Sequence, residues 1–93
     1  MSTLRVMVAD DAVLFREGVA RLLEEAGFTV TARVGDAAAL LERVAEDPPD
    51  LAIVDIRMPP THTTEGIRAA RQIRDQFPAV GILLLSTHTE IDE

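Results

Sequence analysis

The 93-residue sequence has no cysteine, no tryptophan, no tyrosine and no lysine, and only three phenylalanines. Without cysteine there is no disulfide framework and no thiolate metal site, and nothing in the composition hints at secretion. The scarcity of aromatic rings leaves little for base stacking. A net charge of −7 argues further against nucleic-acid contact by this segment. No apolar run approaches the length of a membrane span, and the opening Met1-Ser-Thr-Leu-Arg5 lacks the apolar region of a signal peptide. The expected compartment is the cytoplasm.

What remains is a composition of 47% hydrophobic and 27% charged residues, typical of a folded soluble domain. At this length the expectation is one domain with a modest core. Strand and helix patterns alternate along it. Residues 4–9 read as a buried strand. Phe15, Val19, Leu22, Leu23 and Ala26 then recur at helical spacing, with Gly27 as a C-terminal stop. Residues 28–34 are β-branched and alternating, as in a strand near a sheet edge. Asp36 is placed to cap a second helix with Ala37, Leu40, Leu41 and Val44 as its apolar stripe, ended by Pro48-Pro49.

A third strand spans 51–55. After a loop to about residue 64, a third helix follows, capped by Thr63 or Thr64, with Ile67, Ala70, Ile73 and Phe77 facing inward and Pro78 closing it. Its Arg68, Arg71 and Arg74 read as a solvated face, with Arg71 and Asp75 as an i,i+4 pair. Val80 to Leu85 is a fourth strand, apolar on both faces. Such strands alternating with helices predict an α/β fold with a parallel sheet covered on both sides.

Chemistry concentrates at two strand ends. The run Leu4-Arg-Val-Met-Val-Ala-Asp-Asp11 delivers Asp10 and Asp11, and Asp50-Leu-Ala-Ile-Val-Asp55 delivers Asp55. Open α/β sheets keep their sites at the carboxyl ends of strands, so three acids can meet there. Three crowded carboxylates need a counter-charge, and a divalent metal is the simplest. A carboxylate beside such an ion is a candidate phosphoryl acceptor. Taken singly, each acid could be a turn former, and Asp11 could cap the helix that starts near Ala12. His62 and His88 lie on separate polar loops without ligand spacing and read as ordinary solvated histidines.

The ordered motifs Asp10-Asp11, Asp55-Ile-Arg-Met-Pro59, Gly66 and Leu85-Ser-Thr-His88 resemble the receiver domain of two-component response regulators. They look most like the subfamily with a LuxR/NarL-type helix-turn-helix output. The resemblance covers the whole chain and implies a flavodoxin-like doubly wound parallel sheet, in the order 2-1-3-4. It further implies a phosphoacceptor at Asp55, served by a cognate histidine kinase, and Mg²⁺ held by Asp10, Asp11, Asp55 and the backbone carbonyl of Arg57. Asp11 would bind the ion directly and Asp10 mainly through water, while Ser86 would contact the phosphoryl group as the switch. Such a domain is a signalling phosphoacceptor and not an enzyme.

Two departures accompany the resemblance. Pro60-Thr-His-Thr-Thr-Glu65 separates Met58-Pro59 from Gly66 by more residues than the commonest family pattern, so this loop should bulge beside the site. The sequence also ends at Glu93, where the family's fourth helix would begin. The family's fifth strand, its last helices, its phosphoryl-contacting lysine and its aromatic switch residue have no counterpart. Residues 1–93 are therefore expected to be the N-terminal portion of a receiver, with DNA binding, if any, in an output domain elsewhere in the parent protein. An uncovered fourth strand suggests a homodimer or other self-association.

The alternative is a receiver-like interaction module not competent for phosphorylation in this form. A haloacid-dehalogenase-type hydrolase fits poorly, because that chemistry wants an acid where Arg57 stands. No Gly-x-Gly-x-x-Gly follows the first strand, which excludes dinucleotide binding.

Overall fold

The computed structural model describes residues 3–86. The elements run β1 (Arg5–Ala9), α1 (Val13–Glu25), β2 (Thr29–Val34), α2 (Ala37–Glu46), β3 (Leu51–Asp55), α3 (Glu65–Gln76) and β4 (Gly81–Leu85). All pairings are parallel, and the sheet order is β2-β1-β3-β4, as in a flavodoxin-like doubly wound fold. Thr87, His88 and the rest of the C-terminal segment lie outside the described residues.

The central position of β1 and β3 follows from their composition. A strand buried on both faces must be apolar throughout, and Val6 to Ala9 and Ala52 to Val54 are all buried. Alternation sends Met7, Ala9, Ala52 and Val54 to one face, where they pack with Leu40 and Val44 of α2 and Ala69 and Ile73 of α3. Val6, Val8 and Ile53 go to the opposite face, which α1 covers over β1 and β2. Asp36 caps α2, its Oδ1 accepting from the Ala39 amide at 2.7 Å. Asp50 aligns β3 with β1: its side chain accepts from Arg5 N at 2.8 Å, and its own amide donates to the Arg5 carbonyl.

Helix α1 departs from its expected stripe. Phe15 and Leu22 are 43% and 66% exposed, and Ala20 is the buried residue of this helix. The reason is geometric. The helix lies on β1 and β2 alone, so a small alanine meets the sheet, and among the described residues no neighbouring helix covers its flank. On α3 the expected Arg71–Asp75 ion pair does not form, both side chains being exposed to water. Thr64 takes the N-cap position of α3 without a side-chain bond.

The two outer strands differ. A bulge between Val6 and Met7 leaves Thr31 as an extra residue of β2, and Arg43 of α2 donates to its carbonyl at 3.2 Å. Strand β4 pairs with β3 on its inner side, and its Leu83 and Leu84 remain 48% and 40% exposed.

Candidate functional site

Asp10 directly follows β1, and Asp55 is the last residue of β3. The register Ala9↔Val54 sets the two strand ends side by side. Asp11 comes one residue later, before α1 begins. One carboxylate oxygen from each of Asp10, Asp11 and Asp55 lies within 4.8 Å of the others. The three acids singled out in the sequence are thus brought together at the rim where such sheets place their sites.

Their surroundings are unequal. Asp10 and Asp55 are 2% and 3% exposed, whereas the Asp11 side chain is 33% exposed. Asp10 Oδ1 accepts from the Ala12 amide at 2.9 Å, a local turn that starts α1. Its other oxygen, Oδ2, is buried with no hydrogen-bond partner. Asp55 Oδ1 accepts from the Arg57 amide at 3.3 Å. The guanidinium of Arg16 lies behind this cluster, donating to the Asp10 carbonyl at 3.1 Å while pairing with Glu17. Asp11 caps nothing, because the N-cap of α1 is Ala12 and carries no side-chain bond.

An unsatisfied buried carboxylate oxygen is costly, and three converging anions compound the cost. The donors are hard oxygens only, the set that suits Mg²⁺ or a similar divalent cation and not a soft metal. Asp10, Asp11 and Asp55 could therefore hold such an ion.

The segment after β3 builds one wall. Met58 is fully buried and anchors it in the core. Glu65 gathers the rest: Thr61 donates to its carboxylate from both backbone amide and hydroxyl, and the Thr63 amide from 3.1 Å. The Thr61 hydroxyl is the main reason the Glu65 carboxyl is lowered to about 2. Gly66 then lets α3 press on the end of β3, since a Cβ there would collide with the Asp55 carbonyl oxygen. The added residues are accommodated by an exposed bulge over residues 60–64, with Gly66 held against Ile56 by an amide–carbonyl bond of 2.9 Å.

His62 departs in part from the sequence expectation. Its side chain is exposed to solvent, as expected, but its Nε2 lies 2.9 Å from Asp11 Oδ2, so it is also a partner of the acidic cluster. The two residues are 51 positions apart, so no local ligand spacing could signal the contact. Arg57 touches the site through its amide, and its side chain is exposed. Ser86 follows Leu85, which pairs with Asp55 and accepts from the Ile56 amide at 2.9 Å; Ser86 is therefore exposed at the same rim. His88 lies outside the described residues. Among those residues no helix is long and apolar enough to cross a membrane.

Comparison with known proteins agrees with this fold. Residues 6–93 match the family model described as the response regulator receiver domain. The probable transcriptional regulatory protein NarL of Mycobacterium tuberculosis is 40% identical over 87 residues, covering 92% of this chain and 39% of that protein. The transcriptional regulatory protein DegU of Brevibacillus brevis is 36% identical over 88 residues, 94% of this chain and 36% of that protein. The solved signal receiver domain of the putative response regulator NarL from M. tuberculosis superposes with a TM-score of 0.84 at 37% identity, covering 97% of this chain and 71% of that one. The chain thus spans under two fifths of the length of these curated relatives. Carrying the receiver fold and the matching sequence over nearly its entire length, the chain belongs to the response regulator receiver domain family.

Proposed function

We propose that this domain accepts a phosphoryl group on Asp55 from a phosphohistidine of a cognate histidine kinase, with Mg²⁺ as cofactor. One observation carries the proposal: Asp10, Asp11 and Asp55 converge at the sheet's carboxyl rim, with Asp10 Oδ2 buried and unpartnered. Asp11 would supply a direct ligand oxygen, Asp10 would act mainly through water, and Asp55 and the Arg57 carbonyl would complete the protein's share. The chemistry such an ion would supply there is neutralisation of the charge on the phosphoryl oxygens.

Asp55 is the nucleophile. One of its oxygens forms a bond to phosphorus while the phosphorus–nitrogen bond to the donor histidine breaks; with the donor's other ring nitrogen protonated, the products are an aspartyl phosphate and a neutral imidazole. The Arg57 amide, donating to Asp55 Oδ1, helps to orient the carboxylate at the rim. Ser86, at the same rim, is the group that contacts the transferred phosphoryl and reports it. The parent protein is then a transcriptional regulator whose output lies outside this segment.

The test is labelling from a phosphorylated histidine kinase. Wild-type protein should take up label in the presence of Mg²⁺, and Asp55→Asn should take up none. Undiminished labelling of Asp55→Asn would move the acceptor elsewhere.

A second reading, self-association through β4, is supported by the exposure of Leu83 and Leu84 on an outer strand. A monomer in sedimentation at high concentration would rule it out.

A further inference from the structure

We propose that His62 is a positioning residue for Asp11, so that the loop between β3 and α3 sets the affinity of the acidic centre for a divalent cation. This role rests on the metal-assisted reading above and adds to it a residue and a loop.

Asp11 is the one acid of the three that the fold does not brace. Asp10 and Asp55 are buried, and each accepts from a backbone amide, of Ala12 and Arg57 respectively. The Asp11 side chain is a third exposed, and among the described residues its partner is His62. A carboxylate on an exposed position samples several rotamers, and fixing one of them costs side-chain entropy at the moment an ion binds. The 2.9 Å contact with His62 removes much of that freedom beforehand.

The loop is built to hold the imidazole where it is. His62 has φ of 57°, the left-handed region that residues with a Cβ seldom occupy. Its amide donates to the Met58 carbonyl at 2.8 Å, and Met58 is rooted in the core. On either side, Thr61 and Thr63 are tied to the Glu65 carboxylate at the start of α3. A strained residue clamped on both flanks is over-determined by its surroundings, and strain of this kind collects at functional sites.

The donor chemistry is compatible with a bound ion. A carboxylate only accepts, so Nε2 carries the proton, and neutral imidazole suffices for that. The bond uses one acceptor site of Asp11 Oδ2, and the carboxylate keeps further lone pairs for a cation. An imidazole N–H oriented on a ligating carboxylate is the kind of outer contact whose removal weakens metal affinity by about ten- to a hundredfold.

The experiment is calorimetric titration of the 93-residue chain with MgCl₂ and with MnCl₂, for wild type, His62→Ala and His62→Gln, with Tm measured in the absence of metal. Gln keeps a side-chain N–H that can reach Asp11. The expected result is weaker binding of both ions by His62→Ala, by about ten- to a hundredfold. Most of the affinity should return in His62→Gln, and the metal-free Tm of the two variants should be alike. Unchanged or tighter binding by His62→Ala would overturn the proposal, the latter because it would make the imidazole a bar to the site. Equal weakness in both variants would overturn it too, leaving His62 a merely structural role. A wild-type chain that binds neither ion would sink the metal reading itself along with this one.

Discussion

The two outer strands of the sheet solve the same problem differently. Strand β2 is closed by side chains: Arg43 of α2 donates to the carbonyl of the bulged Thr31, and Arg33 reaches Glu17 and Glu24 of α1 at 2.6 and 2.9 Å. A bulge and a ring of charged groups spoil this edge as a template for another strand. Among the described residues strand β4 has no bulge and accepts no hydrogen bond from a charged side chain; it presents Leu83 and Leu84 to solvent, and Leu84 shares an open groove with Arg71 and Arg74 of α3. An edge can therefore be finished by ion pairs and a backbone bond from the flanking helices, whereas an apolar strand whose neighbouring arginines make no such bond depends on whatever packs next to it.

The largest effect that separates the two sides should come from core truncation. Leu40 of α2 is fully buried on the closed side, so Leu40→Ala should cost about 2–5 kcal/mol in urea unfolding. Leu83→Ala on β4 should cost about 1 kcal/mol or less. Equal costs would mean that β4 is as well packed as the rest, and the contrast would collapse.

Next is Gly66→Ala. α3 is the helix that covers β4, and its first turn abuts the Asp55 carbonyl. Forcing a methyl group into that contact should cost about 1–3 kcal/mol by overpacking and displace the site wall. Hydrogen exchange should show α3 and β4 opening more readily while β2 stays protected; equal loosening of β2 would show the sheet to be one cooperative unit.

Acid should act on both sides. The Glu65 carboxyl is held at about 2 against an ordinary 4.5. Its contribution is present above pH 4.5 and is lost as pH falls from there toward 2. Glu17 is lowered in the same sense by its bond from Arg33. The Tm gap between wild type and Glu65→Gln should accordingly shrink through this range, and a gap that persisted at pH 2 would show that the gathered threonines do not depend on the charge.

Smallest in stability is Arg43→Ala, an exposed contact worth about 1 kcal/mol or less. Its informative readout is association: unmasking the Thr31 carbonyl should make β2 more prone to pairing, visible in sedimentation. Leu84→Lys on β4 should lower association with little change in Tm.

Much of this arrangement was legible in the residues. The runs from Val6 to Ala9 and from Ala52 to Val54 announce central strands because only a two-sided core tolerates them, and Asp36 announces its helix because its oxygen can satisfy a free amide. The three acids could be placed at one rim once β1 and β3 were known to be parallel neighbours. Three features could not be read. The stripe of α1 stayed exposed at Phe15 and Leu22, because periodicity reports an apolar face without saying what lies opposite. Arg71 and Asp75 have the spacing of a pair, yet solvent competes successfully for both. His62 looked ordinary because its partner is remote in the chain.

The sequence by itself determined the element order, the parallel sheet and the identity of the acids, since these follow from short-range rules of periodicity, capping and strand chemistry. Tertiary structure alone decided that Asp10 keeps a buried, unpartnered oxygen, that Asp11 leans on His62, and that among the described residues one sheet edge is tied down by arginine hydrogen bonds while the other is not. Those outcomes depend on distances between residues far apart in the chain, which only the packing of the helices on the sheet establishes.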